Sequence, residues 1–317
     1  MFRYILDRLI YNDEYEKIDS SMSDSNVGAR RGRNIRDNLF VVNAVINSSV
    51  KKEMGSVDVG IYDLAKCFDS LWLQETMNDL FEAGVQNDNF VLLYEENKEN
   101  LVSIRTAYGL TDRFTLEKIV MQGSVFGPVK CAVQMDKLGT LAYRRGTPLL
   151  LYKDTVQIPP LGMIDDLLVM DECSSSGIIS NSIVNTFVES KRLSFGTKKC
   201  HKMHVGPPST ICPPMKVHEN IMEESTSEKY IGDLISHNGS NIEHIKQRTD
   251  RAWAIVAEIS SILREIPLGK YKIEAGLQLR HSMFLNGILT NFEVRHGLKA
   301  SEIAELEKCD EHLLKNI

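Results

Sequence analysis

Two adjacent aspartates interrupt an apolar run whose pattern otherwise predicts a buried strand. The run is LGMIDDLLVM, residues 161–170, and its two carboxyl groups belong to Asp165 and Asp166. Burying one unpaired charge is costly and burying two adjacent charges is worse, so a continuous core strand is a poor home for this pair. We therefore predict a hairpin that has Asp165 and Asp166 at its turn.

A third aspartate, Asp63, ends another predicted strand much earlier in the chain. In this segment Val57, Val59 and Ile61 alternate with smaller or polar residues, as is typical of a strand. If the two strands are neighbours in one antiparallel sheet, the three carboxylates converge, and such a cluster is stable only when cations neutralise it. Carboxylate oxygens suit Mg²⁺, and two such ions about 4 Å apart are typical of phosphoryl-transfer sites.

Composition limits the class of protein without defining its function. The chain has 317 residues, of which 43% are hydrophobic and 25% charged, as in a globular protein with a substantial core. No apolar stretch reaches the roughly 18 residues of a membrane helix, and charges interrupt the first residues where a signal peptide would be apolar. We expect an intracellular protein, cytoplasmic or nuclear. Six scattered cysteines without a CxxC pair favour reduced thiols.

Positive charge is concentrated in two windows although the net charge is -6. Neither window contains an acidic residue, and a solvated surface is the simpler explanation of each window taken alone. The first window holds Arg30, Arg31, Arg33 and Arg36, and the second holds Lys191, Arg192, Lys198, Lys199 and Lys202.

Periodicity along the chain predicts helices alternating with short strands, an α+β fold. Helices are predicted over 1–19, 34–52, 71–85, 129–146, 175–192, 241–263 and 270–288, and strands or hairpins over 57–63, 101–121, 147–170, 198–205 and 228–236. Four of the nine prolines lie in residues 206–219, which predicts a linker or exposed loop. Trp72 and Trp253 are expected to be core anchors rather than platforms on which bases stack.

Six segments occur in an order that is typical of one family. They are GARRGRNIRDNLFVVNAVI (28–46), IYDLAKCFDSLW (61–72), MQGSVFGP (121–128), GMIDDLLVM (162–170), LSFGTKKCHKMHVG (193–206) and EKYIGDLIS (228–236). In this order they resemble the fingers segment, four palm motifs and the primer-grip hairpin of the reverse transcriptases of non-LTR (LINE-type) retrotransposons. The resemblance extends from about residue 3 to about residue 265. Two departures are Gly127, where serine is usual, and Val125, where proline is common.

The resemblance implies a right-hand polymerase with fingers, a palm built on an antiparallel sheet, and a helical thumb. Fingers are expected over 1–57, the palm over 58–206 with an inserted fingers or palm segment at 76–118, a linker loop over 207–224, and the primer-grip hairpin with the thumb over 225–317. The chain would begin inside the fingers and would be a piece of a longer element.

The resemblance also implies roles for particular residues in catalysis. Asp63 and Asp165 would hold both metal ions, and Asp166 would support the metal site from its edge. Lys199 would donate a proton to the departing pyrophosphate, in keeping with general-acid chemistry.

Nucleotide-binding residues are implied in the same way. Arg30 and Arg33 would reach the triphosphate, because guanidinium groups suit phosphate oxygens. The ring of Phe68 would lie beneath the sugar and exclude a 2′-hydroxyl. The remaining nucleotide contacts would come from Leu64, Gln122 and Gly123.

The activity expected from these residues is that of an RNA-directed DNA polymerase. It would extend a DNA or RNA primer on an RNA template with deoxynucleotides, using two Mg²⁺ ions, with Mn²⁺ as an alternative metal. A catalytically silent nucleic-acid-binding scaffold derived from such an enzyme and an RNA-dependent RNA polymerase are the two alternatives. A nucleotide cyclase also uses paired carboxylates but leaves the fingers arginines and the thumb helix unexplained.

Overall fold

The computed structural model describes residues 2–98, 101–118, 124–144, 151–152, 156–172, 175–207 and 214–317. Helices and short strands alternate along this chain. The α-helices are α1 (Phe2–Ser21), α2 (Ile35–Val50), α3 (Cys67–Ser70), α4 (Leu73–Glu82), α5 (Asn87–Lys98), α6 (Gly127–Arg144), α7 (Ser175–Ser190), α8 (Ile242–Arg264), α9 (Lys270–Leu279), α10 (Asn286–Leu289) and α11 (Ala300–Asn316). Single 3-10 turns occur at Thr197–Lys199 and Phe292–Val294, and a π-helix at Arg280–Leu285.

The strands are mostly short and, with one exception, form antiparallel pairs. They are β1 (Val57–Asp63), β2 (Leu101–Val102), β3 (Arg105–Thr106), β4 (Gly109–Leu110), β5 (Phe114–Thr115), β6 (Leu151–Tyr152), β7 (Val156–Gln157), β8 (Leu161–Met163), β9 (Asp166–Glu172), β10 (His201–Val205), β11 (Lys216–Val217), β12 (Asn220–Ile221), β13 (Glu223–Glu224), β14 (Ser227–Tyr230) and β15 (Asp233–Ser236). The predicted α+β class is confirmed.

The chain divides into two compact units. The first contains Met1–Asn38 and Ser48–Thr226, and the second contains Leu39–Asn47 and Ser227–Ile317. Each unit has its own buried core.

The first unit is organised around a five-stranded sheet in the order β13, β10, β1, β9, β8. Strand β1 is antiparallel to both β10 and β9, β8 is antiparallel to β9, and β13 joins β10 in parallel. The predicted hairpin around the paired aspartates is confirmed, because β8 ends just before them and the antiparallel strand β9 begins at Asp166. Strand β1 is also confirmed as the neighbour of β9.

Helices α6 and α7 pack on apolar side chains of β1 and β9. Tyr62, Leu167 and Val169 are buried in one cluster with Leu138 of α6 and Phe187 of α7. Burying a side chain of this size contributes roughly 1.5–3 kcal/mol to the stability of the fold, so these contacts hold the sheet firmly against the helices. A rigid sheet of this kind fixes the positions of the residues at the ends of its strands.

The second unit packs helices together beside the β14–β15 hairpin. Residues Ile245, Ile259 and Leu263 of α8 recur at helical spacing and pack against Leu306 and Leu313 of α11. Helix α11 was not predicted from the sequence. Ile242, the first residue of α8, is exposed and does not belong to this core.

Two sequence predictions about irregular or buried residues are corrected. Residues 208–213 of the predicted linker, 207–224, lie outside the described chain, but its later part forms β11, β12 and β13, and β13 extends the central sheet. The prolines precede these strands and therefore do not interrupt them. Trp253 is not a core anchor, because 43% of its surface is exposed. In the described residues, no helix is both long enough and apolar enough to cross a membrane.

Candidate active site

The central sheet brings the three predicted aspartates to one edge. Asp63 is the last residue of β1, and it lies opposite Asp166, the first residue of β9. Asp165 occupies the turn between β8 and β9. The preceding residue, Ile164, has φ 58°, a left-handed conformation that is costly for a β-branched residue. The turn is therefore held in place by its surroundings.

Burial and mutual repulsion affect the aspartates of this turn. Burial raises the pKa of Asp165, and the negative charge of Asp63 raises it further. A backbone hydrogen bond and the positive charge of Lys199 lower this pKa by less. Burial also raises the pKa of Asp166, and the negative charges of Asp165 and Asp63 raise it further. Both carboxylates are thus less stable in the charged form than free carboxylates, and a cation placed among them would relieve that cost.

A segment that includes a 3-10 turn runs beside Asp63 and supplies a cation to it. Ala65 donates its backbone N–H to the Ser194 carbonyl at 2.8 Å, and Gly196 donates its N–H to the Asp63 carbonyl at 2.8 Å. The ammonium of Lys199 lies 3.3 Å from Oδ1 of Asp63. The side chain of Lys199 is 74% exposed, so this ion pair contributes little to stability.

Gly196 allows this close approach because it has no side chain. A Cβ added at this position would lie 2.2 Å from Oδ2 of Asp63. The glycine therefore defines the space in which the Asp63 carboxylate sits.

The donor atoms at this edge match a hard divalent cation, but they do not form a complete metal site. Asp63, Asp165 and Asp166 offer only carboxylate oxygens, which is the chemistry that Mg²⁺ prefers. Within the described part of the chain, no group of three or more His, Cys, Asp or Glu side chains is placed to hold a metal ion together. The roles of these residues as metal ligands stay predictions.

The loop before α2 packs directly on the aspartate hairpin. Val27 donates its N–H to the Gly162 carbonyl at 3.0 Å, and Gly162 donates to the Ser25 carbonyl at 3.1 Å. A Cβ at Gly28 would lie 2.5 Å from the backbone nitrogen of Ile164. Only glycine permits this approach, so the loop that carries the arginines is fixed against the residue that precedes Asp165.

A basic pocket of about 790 Å³ opens beside this loop, a size typical of sites for small molecules. Met163 of β8 contributes to its wall, which places the pocket next to the aspartate hairpin. No carboxylate lines it in the described residues. Its charged lining consists of Arg8, Arg30, Arg31 and Arg33.

Arg30 is mainly engaged within the protein. Its guanidinium donates to Oδ1 of Asp19 at 2.7 Å, to the Asp19 carbonyl at 2.9 Å, and to the carbonyls of Ser23 and Asn26. The side chain is 2% exposed. Arg30 therefore links the loop to α1. Its contact with a triphosphate stays a prediction, and such a contact would have to replace some of these hydrogen bonds.

Arg33 and Arg31 are more accessible than Arg30. Arg33 pairs with Asp24, and the side chains are 36% and 83% exposed. Such a surface pair is weak and easily exchanged for another anion. The guanidinium of Arg31 lies 4.2 Å from the centre of the Tyr15 ring and 5.4 Å from that of Tyr11. These stacks hold Arg31 at the wall of the pocket.

The other predicted nucleotide-contacting residues fall into two groups. Leu64 is buried and bridges to Phe195, and Phe68 is half-buried in α3, packed against the core behind the sheet. Gln122 and Gly123 lie outside the described residues.

The second basic window is largely neutralised by acids from distant segments. Lys191 lies 2.8 Å from a carboxylate oxygen of Asp79, and Lys202, only 8% exposed, lies 3.0 Å from Asp58. Lys199 pairs with Asp63, as described above. Three of the five cations in this window are therefore paired with carboxylates.

Asp58 belongs to a further group of buried charges in the same sheet. It faces Asp171 across the β1–β9 pairing. Ser180 donates a hydrogen bond to Oδ1 of Asp171 at 2.5 Å. Burial raises the pKa of Asp171 to about 7 despite this hydrogen bond, and the charge of Asp58 raises it too.

Some residues at the site could not be picked out from the motifs. Arg8 lines the basic pocket together with Tyr4 and Tyr11, which are one turn before and after it on α1. These three residues are spaced by four and three positions, which places them on one face of a helix, and this spacing could have identified them from the sequence. Nothing in the sequence indicated that Gly196 would lie beside Asp63.

Comparison with known proteins identifies a family for this chain. The sequence matches the family model described as reverse transcriptase (RNA-dependent DNA polymerase) over residues 3–235. This match covers well over half of the chain, which therefore belongs to the reverse transcriptase family. A comparison with curated proteins found no match.

Solved structures of telomerase share the fold. Apo telomerase from Candida tropicalis superposes with a TM-score of 0.54 at 9% identity, covering 98% of this chain and 49% of the telomerase chain. Telomerase from the same organism in complex with a TWJ fragment of telomeric RNA gives 0.53 at 10% identity, covering 97% and 54%. Apo telomerase from Candida tropicalis truncated from the C-terminal domain gives 0.51 at 10% identity, covering 73% and 44%. This chain therefore spans about half the length of those proteins.

Proposed function

We propose that this protein is an RNA-directed DNA polymerase that extends a primer with deoxynucleotides on an RNA template, and that it derives from a non-LTR (LINE-type) retrotransposon. The observation that carries the proposal is the placement of Asp63, Asp165 and Asp166 at one sheet edge beside a basic pocket. Family membership supports the reaction class. The LINE-type origin rests on the order of the six sequence motifs.

Each residue of this edge has a distinct part in the proposal. Asp63 and Asp165 would hold two Mg²⁺ ions, and Asp166 would steady them from the neighbouring strand position. When bound, Mg²⁺ would neutralise phosphate charge and favour ionisation of the primer hydroxyl. Lys199, an exposed ammonium close to Asp63, would donate a proton to the departing pyrophosphate.

The basic pocket is the proposed site of the triphosphate. Arg33 and Arg31 present guanidinium groups at its wall, and such groups bind phosphate oxygens in bidentate fashion. Phe68 would exclude a 2′-hydroxyl, and Leu64, Gln122, Gly123 and Arg30 complete the proposed nucleotide contacts.

The test combines primer extension with thermal unfolding in parent and Asp165→Asn proteins. Extension on RNA and DNA templates should require Mg²⁺ and should be abolished by Asp165→Asn with template binding retained. The substitution removes one charge and barely changes volume, so the fold should survive. Asp88→Asn is the matched control, because Asp88 is exposed on α5.

Stability provides a readout that does not depend on activity. Because the pKa of Asp165 is raised, its ionised form lowers stability at neutral pH, and Asp165→Asn should unfold at a higher temperature than the parent without metal. Mg²⁺ at ten times its dissociation constant should stabilise the parent by about 1.4 kcal/mol and the variant by less. Equal Mg²⁺ effects on both proteins would contradict the proposed metal site.

The two alternative functions give different results in the same assay. A silent scaffold would bind template and incorporate no nucleotide under any metal condition. An RNA-dependent RNA polymerase would prefer ribonucleotides over deoxynucleotides.

A further inference from the structure

A second pocket, of about 590 Å³, lies wholly within the second unit. Its walls come from α8, α9 and α11, and its size is within the range typical of ligand sites. It is separate from the aspartates and arginines of the first unit. The residues that matter chemically are Trp253 and Arg264 on α8, Lys272 on α9 and His312 on α11.

An aromatic pair forms one part of the wall. The rings of Trp253 and His312 are 5.4 Å apart and inclined at 65°. Trp253 is 43% exposed, and the core of the second unit is formed by other apolar residues of α8. A large exposed ring of this kind provides a surface on which a nucleic-acid base can stack.

Two cations form another part of the wall. Within the described chain, neither Arg264 nor Lys272 makes an ion pair, whereas nearby Lys270 lies 3.5 Å from Glu274. No acidic residue lines the pocket in the described structure. The pocket is thus locally basic in a protein whose net charge is -6, and its free cations suit an anion such as phosphate.

The pocket is preformed by close helix packing. Helices α8 and α11 share the core of the second unit. Gly276 of α9 lies against Ile317, and a Cβ at Gly276 would come within 2.7 Å of that side chain. This approach holds α9, and with it Lys272, next to α8 and α11. Little ordering is then needed when a ligand binds.

We propose that this pocket binds one nucleotide unit, with its base against Trp253 and His312 and its phosphate on Arg264 and Lys272. The inference goes beyond the proposed polymerase activity and uses none of its residues. The nucleotide is either free or part of a single strand, because both present the same base and phosphate.

The test uses the intrinsic fluorescence of Trp253. The chain has two tryptophans, so Trp72→Phe leaves Trp253 as the sole reporter. We would titrate this full-length variant with AMP, dAMP and short single-stranded RNA or DNA, without divalent metal so that no extension occurs. Stacking of a base on the ring should quench its fluorescence in a saturable way.

Variants of the two cations identify the phosphate contact. Lys272→Ala and Arg264→Ala should each weaken binding about tenfold and reduce its salt dependence, because each removes one phosphate contact. Lys270→Ala is the matched control, since Lys270 is a cation on the same helix that does not line the pocket. Unfolding temperatures close to that of the parent would show that the variants fold.

The possible outcomes separate the two sources of the nucleotide. Quenching by mononucleotides and oligonucleotides alike supports a free nucleotide, and quenching by oligonucleotides alone supports a strand. Binding that Lys270→Ala weakens as much as Lys272→Ala overturns the proposal, as does the absence of quenching by every probe. Asp165→Asn should leave this binding unchanged, so failure of the polymerase proposal would be recognised separately.

Discussion

One added carbon at Gly196 tests the position of Asp63 without changing any charge. The backbone of Gly196 has φ -78° and ψ 72°, which an alanine can adopt, so Gly196→Ala adds no left-handed strain. The new Cβ would lie 2.2 Å from Oδ2 of Asp63, whereas ordinary contact begins at 3.4 Å. The carboxylate oxygen must therefore move by about 1.2 Å.

The clash should affect activity far more than stability. Cγ and Cβ of Asp63 lie 3.3 and 3.7 Å from the new carbon, so rotation of the carboxylate relieves most of the contact. Such a rotation costs about 0.5–1.5 kcal/mol. A displacement of about 1 Å at a reacting centre can lower the rate by about 100-fold. We expect a loss of that size in kcat/KM.

The assay is single-nucleotide primer extension, accompanied by thermal unfolding of the same samples. Gly139→Ala is the control, because Gly139 lies in α6 and a Cβ there meets nothing within 4 Å. This alanine should stabilise the helix by about 0.5–1 kcal/mol and leave extension unchanged. If Gly196→Ala folds and extends primers within threefold of the parent, the position of Asp63 does not govern the reaction.

Three further predictions concern the nucleotide pocket, sugar selection and pH. Arg33→Ala should raise the nucleotide KM and spare template affinity, because a phosphate contact is lost, and the opposite pattern would place Arg33 on the template. Phe68→Val should lower the ratio of kcat/KM for deoxynucleotides over ribonucleotides, and an unmoved ratio would exclude the ring as the sugar filter. The raised pKa of Asp171, about 7, means that the folded state retains a proton which the unfolded state releases near pH 4, so stability should fall as pH rises from about 4 to 7. Urea unfolding should show that the free energy of unfolding falls over this pH range in the parent and changes less in Asp171→Asn. Parallel pH profiles of the two proteins would refute the role of Asp171.

The aspartate hairpin and its neighbouring strand could be predicted because both depend on local patterns. Alternation of apolar residues predicted β1, and the cost of burying Asp165 and Asp166 predicted a turn at their position. Antiparallel pairing of β1 with β9 then requires Asp63 to lie at the same end of the sheet. Helix α11 was missed although its apolar residues recur at helical spacing.

The charged residues were harder to predict, because their partners come from remote parts of the chain. Lys191 stands in a window without acids, yet α4 brings Asp79 to 2.8 Å from its ammonium. Arg30 lies in a similar window, yet Asp19 of α1 and nearby carbonyls occupy most of its guanidinium. A local excess of charge therefore does not establish a binding surface until the packing of the other helices is known.

The glycines show how packing determines which motif residues can reach the site. From sequence, Gly28 belongs to the fingers motif and Gly196 to the fourth palm motif, with no indication of what each approaches. In the structure, Gly28 lies against Ile164 beside Asp165, and Gly196 lies against Asp63. Each absent side chain lets one segment, carrying arginines or Lys199, come within contact distance of the aspartate edge. Alanine at either glycine therefore perturbs the same proposed site as substitution of an aspartate, without removing any charge.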